Sequence, residues 1–98
     1  MFKEIGTESR ASIKNDIIRL SNLLDKQFTA ELNFRNHCYL RIAYDNSVKN
    51  KWDKVIPKPF IKNAKEEQLK NALELLNHYV LDKQLLLDHN NISLKYRK

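Results

Sequence analysis

Glycine is almost missing from this chain: Gly6 is its only copy, alongside one cysteine and two prolines in 98 residues. One glycine cannot write a G-x-G-x-x-G or Walker loop, so enzymes that cradle phosphates in glycine turns are excluded. So little glycine and proline also argues against collagen-like, linker-like and turn-rich all-β architectures. Cys38 stands alone, which rules out an intrachain disulfide and any C-x-x-C site. Apolar runs are short; Leu85-Leu86-Leu87 falls far below the roughly 20 residues that span a bilayer. Met1-Phe2-Lys3-Glu4 brings in an acid early and has no apolar h-region, so it does not read as a leader. These absences predict a reduced, cytoplasmic protein with no membrane partner.

What remains is 42% hydrophobic and 31% charged. That is too apolar for a disordered chain and enough for one domain over residues 1–98. Eighteen Lys and Arg face twelve Asp and Glu, a net charge of +6 and a pI near 9.5. Such a surface favours nucleic acid or another polyanion, or an acidic protein. Plentiful Lys, Asn and Ile with little Arg is also the bias of AT-rich coding, and both readings stand.

Helical spacing recurs along the whole chain. Ile13, Ile17, Leu20 and Leu24 mark a helix over residues 7–27, with Thr7 as its cap. A second begins near Asn36 and runs from Cys38 to Val55. Tyr39, Ile42 and Ala43 lie on one side of it, and Leu40, Tyr44, Val48, Trp52 and Val55 on another. A helix apolar over so much of its circumference packs centrally. Pro57 and Pro59 end it, and Phe60 and Ile61 dock the connection. Asn63 with Glu66 resembles a capping box ahead of Leu69, Ala72, Leu73, Leu76 and Val80. Asp82 caps a last helix carrying Leu85, Leu86, Ile92, Leu94 and Tyr96. Nothing alternates as a strand does. The expected fold is an all-α, single-domain bundle of about four helices.

Two groups of residues could carry a function. On the second helix His37, Arg41 and Asp45 share a face at i, i+4, i+8, with Asn46 beside them and Trp52 two turns on. Arg41 is spaced to fork onto Asp45. Trp52 and Tyr44 could wall a small-molecule pocket, in which a desolvated Asp45 would act as a base. The same residues read equally as a structural ion pair beside a core tryptophan. The second group is Lys49, Lys51, Lys54, Lys58, Lys62 and Lys65, opposed only by Asp53 until Glu66. With Trp52 and Phe60 interleaved, and Lys95, Arg97 and Lys98 as an extension, it suits phosphate contacts and base stacking. A solvated face reads the same way. His37 and Cys38 are adjacent and diverge by about 100° on a helix, so they form no thiolate–imidazole pair. His78 and Asp82, with His89, make a weak metal pattern. No metal or cofactor is expected, and no catalytic residue is assigned.

The stretch Asn36-His37-Cys38-Tyr39-Leu40-Arg41-Ile42-Ala43-Tyr44-Asp45-Asn46, followed by Trp52-Asp53 and Pro59, resembles a group of small bacterial all-helical proteins. The resemblance runs from about Asn36 to Arg97 and implies a helical fold and a bacterial source, with no mechanism. An acetyltransferase label goes loosely with such sequences. GNAT-type acetyltransferases are longer α/β domains with a pyrophosphate loop, and this chain has neither. The expectation is therefore a non-catalytic binding module for a polyanion or a protein partner. A ligand or enzyme pocket around Arg41, Asp45, Asn46 and Trp52 is the alternative. Ile18, Leu23 and Leu87 lie off the tightest stripes and would face a second copy in a homodimer.

Overall fold

A computed structural model describes residues 5–32 and 34–98, and at 5–10, 29 and 36 the backbone alone. Helices α1 (Ile5–Leu32), α2 (Asn36–Val48), α5 (Glu66–Leu81) and α6 (Lys83–Tyr96) are long, whereas α3 (Trp52–Val55) and α4 (Phe60–Asn63) are single turns. No strand occurs among the described residues. The all-α class is as expected; the helix count is six among these residues, not about four.

Local periodicity explains most of the long helices. In α1, Ile13, Ile17, Leu20, Leu24 and Phe28 are buried, so the apolar stripe continues past residue 27 and the helix follows it to Leu32. Its backbone is already helical at Ile5, ahead of the expected Thr7 cap. That hydroxyl and the Met1–Glu4 segment lie outside what is described. In α5 the buried line is Leu69, Ala72, Leu76 and Tyr79, with Leu73 and Val80 at its margin.

The second helix departs furthest from expectation. It is central, packing on α1, α5 and α6, with Tyr39, Ile42, Ala43, Tyr44 and Asp45 all buried. Its N-cap is Arg35 rather than Asn36. It stops at Val48 rather than Val55, because Lys49 turns left-handed at φ 59° and its N–H closes onto the Asp45 carbonyl. Trp52–Val55 is then a separate turn, and Val55 is exposed. The apolar spacing carries across this break, so periodicity alone hides it.

Two caps also move. Asn63 ends α4 instead of opening α5, its Nδ2 donating to the Pro57 and Lys58 carbonyls at 3.0 Å each. Lys65 caps α5, its N–H held by Gln68 Oε1 at 2.8 Å. Asp82 caps α6 as expected, accepting from the Leu85 N–H at 3.0 Å.

Beyond the break, Phe60 stacks on Tyr44 at 3.8 Å between centroids, and Trp52 meets both edge-on at 5.6 Å. This triad fastens α3 and α4 to α2. The radius of gyration, 13.3 Å, matches the ~13 Å of a compact 100-residue fold. Ile18 and Leu23 are exposed, as a dimer face would need, but Leu87 is half-buried. Ile92 and Leu94, expected to pack, are exposed instead. No described helix is long and apolar enough to cross a membrane.

Candidate functional site

The outward turn of Ile92 and Leu94 has a direct cause in the other face of α6. Leu86, Asn90, Ser93 and Arg97 follow one another at i, i+4, i+7 and i+11, which is core spacing written largely in polar residues. That line meets Arg41, Asp45 and Asn46 on α2. Asp45 is completely buried, and each of its oxygens accepts two hydrogen bonds. Oδ1 takes the Trp52 N–H at 2.9 Å and Arg97 Nη2 at 3.0 Å. Oδ2 takes the Ser93 hydroxyl at 2.6 Å and Arg97 Nε at 2.8 Å.

The expected fork onto Asp45 therefore exists, but Arg97 supplies it rather than Arg41. Residues 52 positions apart satisfy one another, which no local spacing signals. Arg41 reaches Asp45 only through Ser93, donating to its hydroxyl at 3.0 Å and to Asn90 Oδ1 at 2.7 Å. Burial pushes the Arg41 guanidinium below its ordinary pKa, and Arg97 adds to this; Cys38 and Asp45 oppose it. With four donors already placed on it, the Asp45 carboxylate has no free lone pair to take a substrate proton.

Farther along the seam, Asn46 Nδ2 donates to the Ile42 and His89 carbonyls at 2.8 and 3.1 Å. The Tyr79 hydroxyl lies 2.7 Å from His89 Nδ1. Burial raises the Tyr79 pKa and lowers that of His89, the latter partly offset by Asp88. Both shifts favour a neutral phenol donating to a neutral imidazole. His37 is exposed and takes no part. Trp52 joins through its backbone while its ring belongs to the aromatic triad. His78 is exposed, Asp82 is committed to its cap and His89 to Tyr79. Among the described residues no three His, Cys, Asp or Glu gather as metal ligands.

The lysine group occupies the connection from α2 to α5. Lys49, Lys54, Lys58, Lys62 and Lys65 are exposed and Lys51 half-exposed. Asp53 draws two of them together, lying 3.7 Å from Lys51 Nζ and 3.9 Å from Lys58 Nζ. Phe60 is buried and Trp52 mostly covered, and no described aromatic ring is fully exposed. The two rings therefore do not form the stacking platforms expected of them. Arg97, counted with the C-terminal surface charge, turns inward to Asp45.

One carboxylate thus ties two basic segments together. Asp45 Oδ1 holds both the N–H that opens α3 and the guanidinium that ends α6. Trp52 lies within the segment Lys49–Lys65 and Arg97 within Lys95–Lys98, so one residue of each bonds to the same buried carboxylate. No protein-family model, curated protein or solved structure matches the chain.

Proposed function

We propose that the protein is a binding module for the phosphate backbone of nucleic acid, without base specificity. What supports the reading is that five of the six lysines of 49–65 are exposed, while Asp45 bonds both Trp52 within that segment and Arg97 beside Lys95 and Lys98. Lysines act as point charges toward phosphate, and covered aromatics leave little for bases to stack on. Affinity then comes from charge neutralisation and counterion release, and sequence is not read.

Titration of the full chain against labelled DNA and RNA at two ionic strengths tests this. Log affinity should fall linearly with log salt, by about 0.9 per phosphate contacted on duplex DNA. Lys54→Ala and Lys65→Ala should each shallow that slope, since each removes one exposed charge. Absence of binding at low salt removes the reading, and the lysines are then a solvated surface.

A further inference from the structure

A second feature of the α2 terminus shares only Lys49 with the lysine surface. Between the end of α2 and the middle of α5 lies a depression of about 200 Å³, lined by Asn46, Ser47, Lys49, Asn71, Glu74 and Leu75. That is below the ~300–1,000 Å³ of drug-sized sites and in the range of a metabolite with few heavy atoms. From this lining we infer a binding site for a small zwitterion of the α-amino-acid class.

The charges in the lining are of opposite sign, and neither is spent within the protein. Lys49 and Glu74 line the same depression, yet no ion pair joins them, and neither side chain has another hydrogen-bonding or ionic partner among the described residues. A ligand carrying both a carboxylate and an ammonium would satisfy the two at once; a simple anion or cation would leave one unmet. The neutral lining adds acceptors. Asn46 has committed its amide nitrogen to two carbonyls, so its Oδ1 is what it can offer. Ser47 donates its proton to the Tyr44 carbonyl, so its lone pairs are what remain. Acceptors suit an ammonium with three protons to place.

The backbone supplies a separate observation. Lys49 is the only described residue other than glycine with positive φ, at 59°. It stands at a helix terminus where glycine adopts the conformation without steric penalty. Strained backbone of this kind collects at ligand sites, where the side chain it carries is needed. Here the left-handed residue is itself part of the lining of the depression.

Amide NMR titration of the full chain with each free α-amino acid is the test. At least one should give saturable shifts at residues 46–49 and 71–75. Its N-acetyl and methyl ester forms, each lacking one charge, should bind about tenfold more weakly or worse. Glu74→Gln, outside the lysine surface, should abolish the response while leaving nucleic-acid affinity no lower. Lys49→Gly should abolish it in a chain that melts no lower than the parent. Absence of any saturable shift at about 10 mM, well above a millimolar Kd, overturns the site. Equal binding of the blocked forms, or a response retained in either variant, does the same.

Discussion

The α2–α6 seam and the α2–α5 connection lie side by side and treat charge in opposite ways. In the seam Asp45 is fully buried and every lone pair is filled. In the connection Lys54 and Lys65 stand in solvent, and the single acid, Asp53, touches two neighbours only loosely. A charge taken out of water must be met in full, so Asp45 is a structural fastening with no capacity left for a ligand. Charges left in water contribute little to folding and stay available to a partner. Asp45, the residue whose spacing suggested a base, is thus occupied by hydrogen bonds within the fold, whereas His37 of the same spacing stays exposed.

The largest effect expected is at Asp45. Asp45→Ala strands the Arg97 fork, the Ser93 hydroxyl and the Trp52 N–H together, and should cost about 3–5 kcal/mol. Urea denaturation would measure it, against the ~5–15 kcal/mol that holds a domain folded. Arg97→Lys should recover little of an Arg97→Ala loss, because an ammonium cannot reproduce the side-on fork. An Asp45→Ala chain of unchanged stability would erase the difference between the two regions.

Arg41 comes next. Its partners, Asn90 and Ser93, are neutral, so Arg41→Ala should cost roughly 1.5–3 kcal/mol, the range for hydrogen bonds to a charged group. A change within about 0.5 kcal/mol, as at a free surface, would place Arg41 with the exposed charges and restore it as a ligand contact.

The smallest effect is a pH dependence at His89. Burial holds its folded pKa below the ordinary histidine value, so the unfolded chain binds the proton more readily. The stability this contributes is complete above about pH 6.5 and is lost as pH falls from there through the folded pKa. Melting temperatures from pH 8 to pH 5 should therefore decline more in the parent chain than in His89→Gln. Parallel curves would show that His89 titrates as it does in the unfolded chain.

Local chemistry in the sequence determined the all-α class, the buried lines through Ile13–Leu24 and Leu69–Leu76, and the Asp82 cap. Each is set within one or two turns, where the 3.6-residue period or one side chain's reach decides the outcome. Phe28 was legible by the same rule and continues its stripe by one step. The left-handed stop at Lys49 was not, because apolar spacing runs on through a break that leaves Trp52 in the core margin. Nor was the partner of Asp45. Charge pairing read along a helix proposes Arg41 one turn away; in the folded chain the α6 line of Asn90, Ser93 and Arg97 is brought against α2 and Arg97 arrives first. The signal was present as polar residues at core spacing, but only a facing helix with a carboxylate to satisfy turns such a stripe inward and sends Ile92 and Leu94 to solvent. Which charges are buried and which remain free is a property of how the helices pack, and the tertiary structure alone decided it.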